Sequence, residues 1–317
     1  MKAAVVEAFD RPPRYRDFDD SAALDDEVIV SVLAAAKSQL VQAQAGGKHY
    51  SSPMPPFVPG VDGVGRLANG QRVYFAFPRM PVGAMAERVA VKSAYTVALP
   101  DDLDDITAAA IANPGMSSWA ALSQRAHFRP GETVLINGAA GVSGRLAIQI
   151  ARHLGAGRVV VTARNSGIEA SLRALGADGF IPLTLTPAAL TDRFRKEIAD
   201  GVDIVLDYLW GPTAEALLTA ATGHGEGEAA RRIRYVNIGS LGGATITLPA
   251  AALRSSGIEI FGSGLGSVSN VALVRSIASL MQAIKPAGLA IDAEAVPLTH
   301  VETAWSRSTP ARMVFTI

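Results

Sequence analysis

The stretch from residue 133 to residue 165 constrains this chain most, because it combines a strand, a glycine-rich turn, a helix and a second strand. Residues 133–137 (TVLIN) are apolar and rich in β-branched side chains, as in a buried strand. Apolar residues then recur at every fourth position from 142 to 154, which predicts one face of a helix. Residues 158–163 (RVVVTA) form a second apolar run. A strand–turn–helix–strand unit of about thirty residues is typical of dinucleotide-binding βαβ units.

The turn of this unit reads GAAGVSG and contains the candidate phosphate-binding groups. The first amides of a helix lack partners within the helix, and together with the helix dipole they favour an anion such as pyrophosphate. A side chain at Gly138 or Gly141 would block that approach, whereas Gly144 would let the helix pack close to the strands. The spacing GxxGxxG is weak by itself, and a glycine turn that binds no nucleotide is the alternative. The expected cofactor contacts are Gly138, Ala140, Gly141, Val142, Ser143 and Gly144.

The end of the second strand predicts which dinucleotide is bound. Enzymes that select NAD usually place Asp or Glu there to bind the ribose 2′-hydroxyl, but residues 162–166 (TARNS) contain no acid. Arg164 could instead form a charge-assisted fork with the 2′-phosphate of NADPH; an Arg exposed to solvent is the alternative. We therefore expect NADPH rather than NADH, with Arg164 and Asn165 as contacts.

The charge balance and the absence of cysteine exclude several classes of function. The 317 residues contain 29 Lys plus Arg and 29 Asp plus Glu, so no overall attraction to nucleic acid or an anionic membrane is expected. No apolar run reaches the ~20 residues that span a bilayer. Without cysteine the chain has no disulfide, thiol nucleophile or cysteine-ligated metal. The start lacks an adequate signal-peptide core, and we expect a cytoplasmic protein.

The order of predicted elements divides the chain into parts. Residues 1–100 are mostly short predicted strands, as in a small barrel. An Ala-rich helix follows, which residues 113–115 (NPG) are expected to end, with Ser117 or Ser118 capping the next helix. From residue 133 onward strands alternate with helices, which predicts a parallel, doubly wound sheet.

Four segments carry a resemblance to a known family: PFVPGVDGVGRL (56–67), NPGMSSWAAL (113–122), PGETVLINGAAGVSG (130–144) and PARMVFTI (310–317). They resemble the medium-chain dehydrogenase/reductase superfamily, and the resemblance covers essentially the whole chain. It implies an α/β fold in which residues 1–115 and 263–317 form a GroES-like β-barrel catalytic domain. A Rossmann domain, residues 116–262, would be inserted between them, with the active site in the cleft between the two domains.

The resemblance is to the zinc-free branch of this superfamily. Zinc-dependent alcohol dehydrogenases bind catalytic zinc through a Cys, a His and a Cys, and the His belongs to a Gly-His-Glu motif. Residues 60–62 (GVD) align with that motif here, so Val61 occupies the position of the zinc-binding His. Lys37 occupies the position of the first Cys. A catalytic zinc needs three protein ligands, and the 5 His are scattered. We therefore expect no zinc and a similarity to quinone oxidoreductases and enoyl reductases.

The resemblance also implies the reaction and the residues at the nicotinamide. Those relatives transfer a hydride from NADPH to a quinone or to the β-carbon of an α,β-unsaturated carbonyl compound. By resemblance, the contacts are Ser117 beneath the ring, Asn237 and Gly239 at a strand end, and Ser263, Gly264 and Leu265 at the carboxamide. Each could alternatively be only a turn or cap residue.

The sequence departs from the family pattern at two places. Many relatives have a Lys and a Tyr near the 2′-phosphate, where this chain has Ile168 and Leu183, so Arg164 would bind the phosphate nearly alone. Quinone oxidoreductases usually carry Asn-Pro-x-Asp where residues 37–40 read KSQL. The substrate pocket is therefore expected to differ from the common one.

Three residues are candidates for catalysis. Lys37 could act as the electrophile that zinc provides elsewhere, since a fixed cation stabilises negative charge developing on a carbonyl oxygen; Ser38 could add a neutral donor. Alternatively, Lys37 reaches solvent or pairs with an acid such as Asp62. Tyr50 could protonate the enolate formed from an enone, or could merely line the pocket.

A small-molecule quinone or enone is the expected partner, and we expect no nucleic-acid or membrane partner. We also expect a homodimer through strand 257–262, because an exposed sheet edge invites pairing with its two-fold copy; a strand covered by its own chain is the alternative. The alternative function is a nucleotide-binding redox sensor or structural protein without turnover.

Overall fold

The structure is a computed structural model that describes residues 1–49, 51–222 and 230–317. The chain divides into two compact units. The first unit comprises Met1–Asn113 and Leu273–Ile317, so it contains both ends of the chain, and the second comprises Pro114–Ala272.

Short strands dominate the first hundred residues, as the sequence predicts. The elements there are β1 (Lys2–Val5), β2 (Arg14–Asp17), β3 (Glu27–Ala36), α1 (Gln39–Ala45), β4 (Asp62–Arg66), β5 (Arg72–Ala76), β6 (Arg88–Lys92) and β7 (Thr96–Ala98). Buried alternate residues of these strands, among them Val30, Val73 and Phe75, form one apolar cluster of the first unit.

Helix α2 (Asp105–Ala120) corrects the expectation that residues 113–115 end a helix. Pro114 lies inside α2, and a five-residue π-helical turn follows at Ala121–Arg125. Ser117 and Ser118 are therefore not caps, because their hydroxyls donate to the carbonyls of Pro114 and Gly115 within the helix, at 2.7 and 3.1 Å. Proline costs a helix one backbone hydrogen bond, but burial of the apolar surface on both sides of Pro114 keeps this helix continuous.

The second unit alternates strands and helices along the chain. Its elements after α2 are β8 (Thr133–Asn137), α3 (Val142–His153), β9 (Arg158–Ala163), α4 (Glu169–Ala174), β10 (Gly179–Pro182), α5 (Pro187–Ala199), β11 (Ile204–Asp207), α6 (Gly211–Ala221), β12 (Arg232–Asn237), α7 (Ala250–Arg254) and β13 (Gly257–Gly262).

These strands form a six-stranded parallel sheet in the order β10-β9-β8-β11-β12-β13. Relative to chain order this is the 3-2-1-4-5-6 arrangement of dinucleotide-binding sheets. Buried side chains such as Leu135, Val205 and Tyr235 pack with Phe194 of α5 and Leu217 of α6. The predicted α/β fold with a doubly wound parallel sheet is confirmed.

The remaining elements are α8 (Asn270–Ala283), β14 (Ala293–Pro297), α9 (Val301–Ala304) and β15 (Arg312–Thr316). In the first unit β14, β15, β3, β4, β5 and β7 are adjacent in that order, and β6 pairs with β3. The C-terminal strand β15 lies between β14 and β3, so the two ends of the chain share one sheet.

Among the described residues, no helix is both long enough and apolar enough to span a membrane.

Candidate cofactor site

The carboxyl ends of β8 and β11 mark the point where the strand order of the parallel sheet reverses. β9 and β10 lie on one side of β8, and β11, β12 and β13 lie on the other. Ligands of open α/β sheets bind outside the strand ends at such a point. The two terminal residues here, Asn137 and Asp207, are paired in register. The topology therefore places a candidate site next to the glycine turn that follows Asn137.

The glycine turn is attached to the end of β9. The Gly138 amide donates to Thr162 Oγ1, and the Ala139 amide donates to the Thr162 carbonyl, both at 2.9 Å. Gly138 has φ +96°, and a Cβ there would lie 2.8 Å from Leu209 Cγ. Glycine is therefore required at this position by its backbone conformation and by packing, a reason beyond the ligand approach argued from the sequence. The next predicted contact, Ala140, is exposed.

The start of α3 is open where a phosphate would bind. Gly141 is the N-cap residue, no side chain caps the helix, and a Cβ at Gly141 would meet no heavy atom within 4 Å. At Gly144, in contrast, a Cβ would lie 2.5 Å from Ala139 Cα, so glycine lets the helix approach the turn closely. Val142 and Ser143 are the first residues of the helix and are half-buried. An uncapped helix N-terminus with free space in front of it suits a pyrophosphate.

Asp207 organises a buried polar network beneath this turn. Its side chain is fully buried and accepts hydrogen bonds from Asn137 Nδ2 at 2.8 Å and from the Tyr235 hydroxyl at 2.6 Å. The amides of Leu209 and Trp210 also donate to it, at 2.9 and 3.1 Å. Burial, and then the Asp207 carboxylate, raise the pKa of Tyr235 far above its ordinary value, so the phenol stays a donor.

Asn137 connects that network to the strand that ends at the predicted specificity residue. Its Oδ1 accepts from Thr162 Oγ1 at 2.8 Å, and its Nδ2 also donates to Thr213 Oγ1 at 3.0 Å. Sequence reasoning missed the role of Asp207 and Asn137. The available signal was a polar residue at the carboxyl end of two otherwise apolar strands, LIN and IVLD.

Arg164 directly follows β9, as predicted, and its side chain is exposed. Within the described part of the chain it makes no ion pair. Asn165 is also exposed, and its Oδ1 accepts from the Gly167 amide at 2.9 Å, which caps a short 3₁₀ turn at Ser166–Ile168. The cation therefore lies at the strand end where a 2′-phosphate is recognised.

The residues expected at the nicotinamide fall into two neighbouring groups of the second unit. Ser117 Oγ lies 3.3 Å from the Tyr208 hydroxyl, and a Cβ at Gly239 would lie 2.8 Å from the Tyr208 carbonyl oxygen. Asn237 Nδ2 donates to the Gly239 carbonyl at 2.9 Å, and the Asn237 carbonyl accepts from the Ser263 amide at 2.8 Å. Hydrogen bonds and close packing thus link the candidates around Tyr208, a residue that the sequence analysis did not single out.

Tyr208 is a hydrogen-bond donor to Ser117. The Ser117 hydroxyl has one proton and donates it to the Pro114 carbonyl. The Tyr208 hydroxyl is therefore the donor in the hydrogen bond between Tyr208 and Ser117. Burial raises the pKa of Tyr208 to about 12, and the phenol is protonated at neutral pH. The Ser117 oxygen is therefore held from both sides.

The last two predicted carboxamide contacts lie after β13. Gly264 and Leu265 are exposed, and the Gly264 amide donates to Ser267 Oγ at 2.8 Å. That amide therefore already has a partner, while the Leu265 side chain is 49% exposed.

Lys37 belongs to the first unit and is buried, with 8% of its surface exposed. Its Nζ donates to the carbonyls of Trp305 at 2.7 Å and Arg307 at 3.5 Å, and lies 5.9 Å from the centre of the Trp305 ring. Burial, with a smaller contribution from Arg307, lowers the pKa of Lys37, and Glu294 opposes this. The sequence-based alternatives, a solvent-exposed Lys37 or one paired with Asp62, are both wrong.

Asp62 has a different partner. Tyr74 donates to its Oδ2 at 2.9 Å, and burial raises the pKa of Asp62 to about 6. Ser38 is buried and caps α1 by accepting from the Val41 amide at 3.0 Å. Tyr50 lies outside the described residues, so its role as a proton donor stays a prediction.

A metal centre is not formed by the described residues, since no group of three or more His, Cys, Asp or Glu is close enough to hold an ion. The positions that resemble zinc ligands hold Lys37 and Val61.

Comparison with known proteins identifies the family. Residues 143–283 match the family described as zinc-binding dehydrogenase. A probable NADPH-dependent quinone reductase of Emericella nidulans is 31% identical over 349 residues, which cover 96% of this chain and 96% of that protein. The chain belongs to the quinone oxidoreductase branch of the medium-chain dehydrogenase/reductase superfamily.

Other members of the superfamily are similar over part or all of the chain. An NADPH-dependent alkenal/one oxidoreductase of Arabidopsis thaliana is 30% identical over 204 residues, covering 58% of this chain and 50% of that protein. The quinone oxidoreductase of Thermus thermophilus, solved also in complex with NADPH, matches 100% of both chains with TM-score 0.78 and 27% identity.

Proposed function

We propose that this chain is an NADPH-dependent oxidoreductase that transfers a hydride to a quinone or an α,β-unsaturated carbonyl compound without catalytic zinc. The observation that carries the proposal is the open, uncapped N-terminus of α3 at the reversal point of the sheet, next to the strand end that Arg164 follows. Membership of the quinone oxidoreductase branch, and relatives named as quinone and alkenal/one reductases, support the same reaction class.

The residues of the second unit would hold the cofactor along the carboxyl ends of the strands. The amides at the start of α3, including Val142 and Ser143, would bind the pyrophosphate, and Arg164 with Asn165 would bind the 2′-phosphate. When bound, NADPH supplies the hydride. The Tyr208 hydroxyl is hydrogen-bonded to the hydroxyl of Ser117, and the backbone carbonyl of Tyr208 lies close to Gly239. These contacts support the proposal that the nicotinamide binds next to Ser117 and Gly239.

Little acid–base chemistry is demanded of the protein when the acceptor is a quinone. An enone requires more, because its oxygen gains negative charge and its carbon must be protonated. Lys37 has three N–H donors, two of which contact the carbonyls of Trp305 and Arg307. One donor is left for such an oxygen, with Ser38 next in sequence.

The proposal is tested by following NADPH oxidation through the absorbance of reduced nicotinamide, against quinones, enones, alkenals and enoyl thioesters. We expect turnover with at least one class, and no stoichiometric zinc in the purified protein by elemental analysis. Tight NADPH binding without turnover of any acceptor would instead support a non-catalytic sensor. Zinc at one atom per chain, lost together with activity on chelation, would contradict the zinc-free mechanism.

Replacing Arg164 with Ala should weaken NADPH binding far more than NADH binding. A hydrogen bond to a charged group contributes about 1.5–3 kcal/mol, so the Kd for NADPH should rise by at least about tenfold. Fluorescence titration with each reduced cofactor measures both constants. Equal weakening of NADPH and NADH would remove Arg164 from the specificity site.

Replacing Lys37 with Met should lower kcat and kcat/KM for an enone together, with the Kd for NADPH unchanged, if the ammonium stabilises the developing oxyanion. Quinone reduction should be less affected. Lys37 also donates hydrogen bonds to the carbonyls of Trp305 and Arg307, so its replacement can lower stability. Thermal unfolding must therefore be measured in parallel. A stable variant that keeps its kcat on the enone would leave Lys37 with a structural role only.

The chain should form a homodimer through β13. Among the described residues this strand is the last of the parallel sheet and pairs only with β12, and its Ile260 and Phe261 are half-buried. Ile260→Lys should give a monomer in sedimentation velocity, because a lysine on an edge strand opposes strand pairing. Leu253→Lys, on the exposed part of α7, is the control and should stay dimeric. A wild-type monomer at micromolar concentration contradicts the prediction.

A further inference from the structure

Arg145, in the first turn of α3, is hydrogen-bonded both to the glycine turn before α3 and to helix α4. Its Nε donates to the Ala140 carbonyl in the glycine turn at 3.2 Å, and its Nη2 donates to Ser171 Oγ in α4 at 3.4 Å. Ser171 in turn donates to the Ile168 carbonyl at 2.8 Å. The guanidinium therefore spans the distance between the glycine turn and the segment that follows β9.

That segment is the one that contains Arg164. The glycine turn is hydrogen-bonded to Thr162 through the amides of Gly138 and Ala139. Arg164 follows Thr162 by two residues, and the 3₁₀ turn that begins at Ser166 ends at Ile168. Along the chain, Arg164 therefore lies between Ala140 and Ser171, the two residues that accept hydrogen bonds from Arg145.

Neither cation has a carboxylate partner in the described part of the chain. An arginine has five N–H donors, and only Nε and one proton of Nη2 of Arg145 are used by protein acceptors there. The Arg145 side chain is half-buried, so its other N–H donors remain accessible to a ligand. A phosphate monoester carries a charge of about −1.5 to −2 at neutral pH, which a single arginine neutralises only in part.

We propose that Arg145 is a second contact for the 2′-phosphate of NADPH and that it sets the cofactor preference jointly with Arg164. The proposal rests on the proposed function, specifically on NADPH as the cofactor. It accounts for the residues found at the places of the usual Lys and Tyr, since Ile168 and Leu183 bring no charge or donor there. The cation is supplied instead from the helix that follows the glycine turn.

The test compares Kd values of wild type, Arg145→Met, Arg164→Met and the double variant for NADPH and NADH by fluorescence titration. Adenosine 2′,5′-bisphosphate and adenosine 5′-monophosphate, which lack the nicotinamide, are added as displacing probes. We expect Arg145→Met to weaken NADPH and the bisphosphate by about tenfold or more, as for loss of a hydrogen bond to a charged group. NADH and the monophosphate should change by less than about twofold, since they lack the 2′-phosphate contact.

Two controls separate a phosphate contact from a structural clamp. Ser171→Ala breaks the bond between α3 and α4 but keeps the cation, and should leave the NADPH to NADH ratio unchanged. Arg195→Met removes an exposed charge of α5 whose hydrogen-bond partner is Asp192, and should also leave the ratio unchanged. If Arg145→Met is poorly folded, Arg145→Lys keeps the charge without the fork and should lose part of the preference.

The outcomes are distinguishable. A wild type that prefers NADPH, with an unchanged ratio in Arg145→Met, overturns this proposal and leaves the proposed function intact. Equal weakening of both cofactors in Arg145→Met also overturns it. A wild type that binds NADH as well as or better than NADPH overturns the cofactor assignment and this proposal together.

Discussion

Replacing Asp207 with Ala should destabilise the second unit by about 3–5 kcal/mol, because each buried donor left without a partner costs about 1–3 kcal/mol. The substitution removes the acceptor of the Asn137 amide, of the Tyr235 hydroxyl and of two backbone amides in the turn after β11. Urea unfolding measures the change in free energy. NADPH affinity should fall as well, since Asn137 connects Asp207 to Thr162, which holds the glycine turn.

Two further variants provide reference values for this loss of stability. Tyr235→Phe removes one donor and leaves Asp207 its other partners, so it should cost only about 1 kcal/mol. Asp192→Ala removes an exposed carboxylate of α5 paired with Arg195 and should cost less than about 0.5 kcal/mol. A loss below about 1 kcal/mol for Asp207→Ala would mean that water satisfies the network.

The Gly141→Ala variant should fold as stably as the wild type and yet bind NADPH about 10- to 100-fold more weakly, as overpacking by one methyl costs about 1–3 kcal/mol. A Cβ at Gly141 meets no heavy atom of the protein within 4 Å. The φ of −79° and ψ of 171° are accessible to alanine. The methyl group would therefore clash only with a ligand at the start of α3.

Gly144→Ala is the matched comparison. A Cβ at Gly144 would lie 2.5 Å from Ala139 Cα and 2.6 Å from the Gly138 carbonyl oxygen, both backbone atoms. That variant should lose both stability and cofactor affinity. Thermal unfolding and cofactor titration on both variants separate the two effects. Unchanged NADPH affinity in Gly141→Ala would move the pyrophosphate away from this helix.

The sequence by itself was sufficient for the parallel sheet and for the family. Both depend on patterns that are local in the chain: apolar strands, a four-residue helical spacing from 142 to 154, and the glycine turn between them. Arg164 was also predictable as a candidate for the 2′-phosphate site, because the apolar run of β9 ends at Ala163 and Arg164 is the next residue. Its contact with a 2′-phosphate remains a prediction.

Helix α2 marks a limit of local reasoning. Pro114 and Gly115 are strong helix-ending signals in a sequence, yet the helix continues to Ala120. The surrounding residues, such as Ile111 and Leu122, are fully buried. Packing on both sides of the proline therefore outweighs the lost backbone hydrogen bond, and only the tertiary structure contains that information.

The polar contacts at the site were decided by tertiary structure alone. Asn137 and Asp207 meet across 70 residues of sequence, and Lys37 reaches the Trp305 carbonyl across 268 residues. Spacing in the chain carries no signal for such pairs, because side-chain hydrogen bonds act over about 3 Å while the chain between the partners winds through several strands. Arg145 is a case of the same kind for one of its acceptors, since Ser171 is 26 residues away in sequence, whereas Ala140 is only 5 residues away. The sequence thus determined which strands and helices form, and the packing of those elements decided which side chains share a site.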